Sequence, residues 1–120
     1  MTHEAIKKVL LSLPAATMTV QWKVDEVFKV GGKMFAVTTP TAPSISFKAD
    51  DASFEILTQL PGITPAPYLA RAKWVFLDRY DRLSAAELKA YLARAHKLVA
   101  AGLTKKRQRE LFAGKLVVQI

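Results

Sequence analysis

Cysteine is absent from the 120 residues of this chain. Its absence excludes disulfide bonds, thiolate zinc sites, cysteine-ligated iron–sulfur clusters and a cysteine nucleophile. It is also typical of proteins from a reducing compartment, so we expect a cytoplasmic location. Long apolar runs are missing as well, and without a run of membrane-spanning length the sequence predicts no membrane partner.

The N-terminal segment has a short apolar run after Lys7-Lys8 that faintly resembles a secretory signal. Ser12 and Pro14 interrupt this run, and Glu4 precedes it. The pattern therefore favours an amphipathic first helix instead. Its apolar side consists of Ile6, Val9, Leu10 and Leu13.

Acidic residues are scarce, because 10 Asp and Glu stand against 18 Lys and Arg, which gives a formal net charge of +8. Residues 1–60 hold six of each sign, so residues 61–120, with twelve basic and four acidic residues, carry the whole excess. Such asymmetry favours an anionic partner, nucleic acid in particular. The alternative is that the charge serves only solubility.

Histidine occurs only as His3 and His96, and no HxxxH or HxxE pair places either beside a second ligand. Metal sites need several convergent ligands, so we expect both histidines on the surface and no metal site. The carboxylate pairs Asp25-Glu26 and Asp50-Asp51 do not change this expectation. Neighbours in a strand point to opposite faces, and the second pair fits a helix cap.

Catalytic motifs are missing too. The chain has no GxSxG, no Ser/His/Asp order and no phosphate-binding glycine loop. Gly31-Gly32 lacks the strand–loop–helix context that such a loop requires. We therefore expect a protein that is not an enzyme and that needs no cofactor.

Residues 27–37, VFKVGGKMFAV, predict a β-hairpin, because Gly31-Gly32 can adopt the positive φ angles of a two-residue turn. That turn pairs Val30 with Lys33 and Phe28 with Phe35. The expected inward face consists of Phe28, Val30, Phe35 and Val37, with Lys29 on the outer face and Lys33 at the tip. These lysines either present ammonium groups to a partner or discourage edge-to-edge pairing between molecules.

Alternation of apolar and polar residues predicts further strands. It is found at residues 17–22 and 44–48, whereas residues 73–78 are apolar on both faces, as in a strand covered by helices on one side and partly covered on the other. The proline-rich residues 63–67 are expected to be extended. Residues 79–82 fit a turn.

Capping and stop residues mark three more helices. They are Asp50 or Asp51 and Gly62 for a short helix, Ser84-Ala85-Ala86-Glu87 and Gly102 for a long one, and Thr104 for a final short one. Residues 115–120 fit either a small strand or a tail. The order predicts an α+β two-layer sandwich, an antiparallel sheet with helices on one face, in one domain spanning residues 1–120.

Basic residues cluster in several places that could meet phosphates without reading sequence. They are Lys29 and Lys33 on the hairpin, Arg71, Lys73, Arg79 and Arg82 around the strand at 73–78, and the run Lys105, Lys106, Arg107 and Arg109. A solvated helix end is the alternative interpretation of that last run.

Order and spacing of several short segments resemble the MmcQ/YjbR family of small bacterial proteins. The segments are KVGGKMFA at residues 29–36, SFKAD with Lys48, PGITPAP followed by Lys73-Trp74, and AHKLVAAGL. The match covers residues 1–109. The resemblance implies a frataxin-like (CyaY-like) fold and DNA binding through a "double wing" motif.

Two positions depart from the family pattern. Members often have Gly after the strand tryptophan and a Ser-Tyr pair in the last helix, whereas this chain has Lys23 after Trp22 and Ala95-His96 in the helix. We therefore assign to this chain no function that the family has at those two positions. Iron binding by frataxin-like proteins is not carried over either, because the first helix lacks an acidic ridge.

The sequence therefore predicts a cytoplasmic, non-enzymatic protein that binds nucleic acid, with DNA favoured. The expected phosphate contacts are Lys29, Lys33, Lys48, Arg71, Lys73, Arg79, Arg82, Lys105, Lys106 and Arg107. They are expected to converge on one surface. Trp22 and Trp74 are expected in the core rather than as stacking platforms.

Two other classes of function stay as alternatives. One is a protein-interaction module whose basic face meets an acidic protein, and the other is a small-molecule or metal binder. The choice between DNA and RNA, the sequence preference and the oligomeric state are left open, with a monomer favoured.

Overall fold

Six strands form one antiparallel sheet in the order β1-β2-β3-β4-β6-β5, and helices pack against it. The structure is a computed structural model that describes residues 1–67 and 69–112. The elements are α1 His3–Ser12, β1 Ala16–Gln21, β2 Asp25–Val30, β3 Lys33–Thr38, β4 Ile45–Lys48, α2 Asp51–Leu57, β5 Ile63–Pro65, β6 Trp74–Leu77, α3 Ala85–Ala101 and α4 Lys105–Phe112. Short 3-10 turns span Ala70–Ala72 and Tyr80–Arg82.

The predicted two-layer α+β architecture is confirmed. One core lies between the helices and one face of the sheet. Its largest fully buried side chains are Ile6 and Leu10 from α1, Leu57 from α2, Leu88, Leu92 and His96 from α3, and Phe28, Phe35, Ile45, Phe47, Ile63 and Leu77 from the strands. We call the other side of the sheet the open face. The predicted strand or tail at residues 115–120 lies outside the described residues.

Local capping explains where the helices begin. The Asp50 side chain accepts from Ser53 N, 2.7 Å away, and Ser84 and Glu87 form the predicted capping box. Thr104 Oγ1 accepts from Arg107 N at 3.1 Å, so the predicted cap of the last helix is also confirmed. These bonds satisfy backbone N–H groups that have no partner inside a helix.

The sequence predicts that Gly62 ends the second helix, and this prediction is wrong. The helix α2 ends at Leu57, with Thr58 as its C-cap. Gly62 lies in the turn before β5 with φ +77°. The positive φ favours glycine there, and a Cβ, which would lie 2.0 Å from Arg82 Nε, would also displace the Arg82 side chain.

The β2–β3 hairpin has the predicted turn, with φ +60° at Gly31 and +81° at Gly32. Val30 pairs with Lys33 as expected, but Phe28 pairs with Ala36. The predicted Phe28–Phe35 pairing is therefore wrong, because β3 contains a bulge that inserts Phe35. Phe35 and Ala36, the two residues of the bulge, are both buried. The next residue, Val37, therefore lies on the open face rather than on the predicted inward face.

His96 is not a surface residue, contrary to the sequence prediction, since only 2% of it is exposed. Its Nε2–H donates to the Pro14 carbonyl at 2.7 Å, and its ring meets the Phe35 ring edge-on with centroids 5.3 Å apart. Burial lowers the pKa of His96, an effect that the bond to Pro14 partly offsets. A neutral imidazole therefore joins α3 to the turn before β1.

Trp22 is not in the core either, whereas Trp74 is buried as predicted. The strand β1 ends at Gln21, and a three-residue turn of Trp22, Lys23 and Val24 joins it to β2. Trp22 and Lys23 have φ angles of +49° and +78°. This turn leaves Trp22 61% exposed, because its backbone no longer follows the alternation of the strand.

Lys23 stands where the family resemblance implies Gly, and its left-handed backbone angle is one that glycine adopts without strain. A left-handed conformation costs an L-residue about 1–2 kcal/mol, and the greater chain entropy of glycine offsets part of the gain. We expect Lys23→Gly to raise the free energy of unfolding by about 0.5–1 kcal/mol. Urea denaturation at neutral pH measures it. The control Lys33→Gly, at an exposed strand position without a positive φ, should be neutral or destabilising. A destabilised Lys23→Gly protein would contradict this account.

Candidate nucleic-acid interface

The turn of the β2–β3 hairpin packs against the last helix. A Cβ on Gly31 would lie 2.6 Å from Leu103 Cδ1 and 3.1 Å from Leu111 Cδ1. Two basic segments that are about seventy residues apart in the chain therefore meet at this contact. Sequence reasoning identified both segments but had no signal for their contact.

The helix α4 turns its basic residues outward because its other side is anchored. Gln108 and Phe112 are buried, and Gln108 Nε2 donates to the Leu103 carbonyl at 2.9 Å. The exposed side carries Lys105, Lys106, Arg107 and Arg109. Three of these lie in the first turn of α4, where the helix dipole makes added positive charge unfavourable.

We define the hairpin–α4 surface by Lys29, Lys33, Lys105, Lys106 and Arg107. Four of the five side chains are exposed, and Lys29 is half-buried on the open face. Within residues 1–67 and 69–112, none of the five has a carboxylate oxygen within 4.0 Å. The positive charge here is not compensated locally.

Three more of the residues that the sequence predicts to contact phosphates lie at the same end of the sheet as Gly31-Gly32. Lys48 ends β4 opposite Trp74, at the end where the neighbouring strand β3 begins. Lys48 Nζ donates to the Ala72 carbonyl, and Lys73 Nζ lies 4.9 Å from the centre of the Phe54 ring. Arg71 is exposed in the adjoining 3-10 turn. Two of the three cations therefore already have a neutral partner.

Arg79 and Arg82 lie beyond the other end of β6 and are paired with carboxylates. Arg79 donates to Asp81 at 2.7 Å, and Arg82 makes two bonds to Asp78, at 2.7 and 3.1 Å. The hydrogen bond from Arg82 holds the pKa of Asp78 below its ordinary value. The structure thus does not bring these two arginines to the hairpin–α4 surface.

The open face carries an apolar groove of about 510 Å³. Its lining consists of Trp22, Asp25, Met34, Val37, Ser46, Ala66, Pro67 and Leu69. Lys29 pairs with Met34 across the hairpin, so its side chain shares this face. Sequence reasoning missed the groove because it placed Trp22 in the core.

A second cluster surrounds Glu26, which is only 5% exposed at the start of β2. Its carboxylate lies 2.6 Å from His3 Nε2 and 2.9 Å from Lys7 Nζ, and it accepts from Thr38 Oγ1 at 3.0 Å. Burial raises the pKa of Glu26, but the hydrogen bonds from Lys7, His3 and Thr38 together bring it below the ordinary value. An ionised, fully bonded carboxylate joins α1 to the sheet and is not a proton donor at neutral pH.

Some kinds of site find no support in residues 1–67 and 69–112. No group of three or more His, Cys, Asp or Glu side chains there could hold a metal ion. Over the same residues, no helix has both the length and the apolar character needed to cross a membrane.

An antiparallel sheet with helices packed against one face defines the class as a small α+β domain. The chain belongs to the YjbR family, whose sequence profile matches residues 11–98. The predicted family resemblance is thereby confirmed.

Two relatives agree with this assignment. The Escherichia coli O157:H7 protein YbdF, described as uncharacterized, is 28% identical over 116 residues, which cover 93% of this chain and 95% of YbdF. The crystal structure of Deinococcus radiodurans protein DR2400, with a DUF419 domain, superimposes with a TM-score of 0.82 at 29% identity. That match covers 92% of this chain and 87% of DR2400.

Proposed function

We propose that this protein binds nucleic acid, DNA in the first instance, through the hairpin–α4 surface and without catalysing a reaction. The contact of Gly31 with Leu103 and Leu111 carries the proposal, since it packs the turn between Lys29 and Lys33 against the basic helix α4. Phosphates are the ligands that suit several flexible ammonium and guanidinium groups without a matching carboxylate. The family resemblance supports DNA as the polyanion.

The placement of charge in α4 supports a binding role over a purely structural one. Lys105 and Lys106 lie at the positive end of the helix dipole, so they lower helix stability rather than raise it. They do add to the positive electrostatic potential at this end of the protein, to which Lys29 and Lys33 also contribute. Lys48, Arg71 and Lys73 supply further positive charge at the same end of the sheet.

The test is a salt titration of binding to a fluorescent duplex, followed by anisotropy. We expect the logarithm of the binding constant to fall with the logarithm of salt concentration, with a slope of about −0.9 for each phosphate contacted. Lys29→Glu with Lys33→Glu should weaken binding and reduce that slope by about two. The physical reason is that each lost cation releases one fewer counterion.

A matched charge change serves as the control. Lys8→Glu with Lys89→Glu alters the net charge equally at exposed positions on α1 and α3, away from the hairpin–α4 surface. It should reduce affinity much less than the hairpin variant. Because Lys29 is half-buried, Lys105→Glu with Lys106→Glu provides a second test at fully exposed positions.

Several results would contradict the proposal. They are no binding of either duplex or single-stranded nucleic acid at low salt, a binding constant that does not respond to salt, and equal losses in the hairpin and control variants. Capture of an acidic protein that survives nuclease treatment, together with absent binding to both forms of nucleic acid, would establish the protein-interaction alternative instead.

A further inference from the structure

Trp22 has a position that packing does not explain. It is 61% exposed in the turn between β1 and β2, and its neighbours Val20 and Val24 are 59% and 47% exposed. A bulky residue with a positive φ is uncommon and is held only where the surrounding structure imposes it. Such strained residues concentrate at binding sites.

The groove beside Trp22 has a volume, about 510 Å³, that is typical of a site for a small ligand. By the strand order, Trp22 after β1 lies on one side of the groove, Pro67 and Leu69 after β5 lie on the other, and Met34 and Val37 lie on β3 between them. Because of the bulge at Phe35, Met34 and Val37 lie opposite positions two residues apart on β2, so the groove follows β3 for about 7 Å, at about 3.3 Å for each paired position. A mostly apolar groove with a few polar groups is typical of a site for a small planar ligand.

Asp25 provides a polar group for the edge of such a ring. Thr39 Oγ1 donates to Asp25 Oδ1 at 2.6 Å, which fixes the carboxylate. Over the described ranges, Asp25 Oδ2 has no hydrogen bond, so it can accept from an exocyclic amino group. Ser46 lines the same groove and can donate or accept.

The positive charges around the groove favour a ligand in which the ring is linked to phosphate groups. Lys23 is exposed next to Trp22, and Lys29 and Lys48 share the open face by their register in the sheet. Lys29 also belongs to the hairpin–α4 surface. The groove therefore continues a surface to which phosphates are already attracted, and no separate partner is required.

We propose that the groove holds one unpaired nucleobase stacked on Trp22, so that the preferred partner is a single strand rather than a duplex. This inference depends on the proposed function, because the hairpin–α4 surface supplies the phosphate contacts. A paired base cannot enter the groove without leaving its stack, whereas a single strand presents its bases directly. Stacking on one aromatic ring is independent of sequence, and Asp25 favours bases with an amino group.

The test compares a 12-nucleotide single strand with the 12-base-pair duplex of the same sequence by fluorescence anisotropy. Trp22→Ala should weaken single-strand binding about five- to 150-fold, the range that corresponds to the loss of one base stack. Duplex binding should change less than twofold. Ile56→Ala removes an apolar side chain that is 60% exposed on α2, away from the groove, and should leave both affinities unchanged.

A second variant separates stacking from folding. Trp22→Phe keeps a ring in the turn and should retain most of the single-strand affinity. Tryptophan emission gives an independent readout, because Trp22 is exposed and Trp74 is only 3% exposed. The single strand should quench the emission of the parent protein and not that of Trp22→Ala.

The outcomes distinguish this inference from the function on which it depends. If Trp22→Ala binds the single strand normally, or if Trp22→Phe loses as much affinity as Trp22→Ala, the groove proposal is overturned. If the hairpin lysine variant still loses affinity for both probes, the proposed function stands. If the parent protein binds neither probe at low salt, both proposals are wrong.

Discussion

Replacement of Glu26 by Gln is expected to lower the free energy of unfolding by about 3 kcal/mol at pH 7. The carboxylate is 5% exposed and satisfies three polar groups at once, on His3, Lys7 and Thr38. Removing one member of a buried ion pair costs about 3–5 kcal/mol, and the low end applies because Lys7 and His3 remain partly exposed. Urea denaturation of both proteins measures the difference.

Acid should reduce that difference. The pKa of Glu26 in the folded protein lies below its ordinary value near 4.5, so the unfolded chain takes up the proton first as pH falls. The stabilisation is complete above about pH 4.5 and is lost as pH falls through the folded-state pKa. Parent and Glu26→Gln proteins should therefore become more alike in stability as pH falls below about 4.5.

The exposed Glu55 on α2 offers a matched control for the same chemical change. Glu55→Gln should leave the free energy of unfolding within about 0.5 kcal/mol of the parent value, as surface substitutions usually do. Equal stabilities of Glu26→Gln and Glu55→Gln would show that the cluster contributes nothing. The test addresses how α1 is held to the sheet and is independent of both binding proposals.

Local sequence signals predicted the helix starts and the hairpin turn correctly because each depends on only a few neighbouring residues. Asp50, the Ser84–Glu87 box and Thr104 satisfy backbone groups within four residues of themselves. Gly31-Gly32 likewise determines its own turn. The family resemblance then supplied an expectation for the fold that the structure confirms.

The bulge at Phe35 and the exposure of Trp22 had no such local signal. Phe35 and Ala36 are both apolar, so the pattern alone could not show which of them is inserted. Trp22 continues the alternation of Met18 and Val20, although the strand has already ended at Gln21. In both cases pairing with a neighbouring strand, and not the pattern, determined the face.

The candidate interface was predictable as a set of charges and not as a surface. Lys29, Lys33 and the run at residues 105–107 are visible in the sequence, but the contact between the two segments depends on the packing of Gly31 against Leu103 and Leu111. That contact joins distant parts of the chain, and nothing in either segment encodes it. The carboxylates that pair with Arg79 and Arg82, those of Asp81 and Asp78, are by contrast near neighbours in the sequence.

The burial of His96 was the one error that the helix pattern itself could have prevented. His96 lies four residues after Leu92 and four before Ala100, on the buried side of α3. Its polar character argued for the surface, but its single N–H donor has a partner at the Pro14 carbonyl. A buried polar group with a hydrogen bond is compatible with a core position.

Substitution of His96 by Ala is expected to lower the free energy of unfolding by about 3 kcal/mol, because it leaves a cavity beside Phe35 and Phe112 and an unpaired carbonyl on Pro14. The pH dependence gives a sharper test. Burial lowers the pKa of His96 from its ordinary value of 6.5, so the unfolded chain binds a proton that the folded protein does not. The parent protein should therefore lose stability as pH falls below about 6.5, until the folded-state pKa is reached.

The variant His96→Gln keeps a side-chain donor and cannot titrate, so its stability should decline less than that of the parent between pH 7.5 and pH 5. Urea denaturation across this range measures both curves, and at pH 5 the two proteins should be closer in stability than at pH 7.5. Parallel curves would mean that His96 titrates alike in the folded and unfolded chains. The imidazole would then be accessible to protons in the native state, and the packing of α3 against the turn before β1 would have to be more open than the contacts of His96 imply.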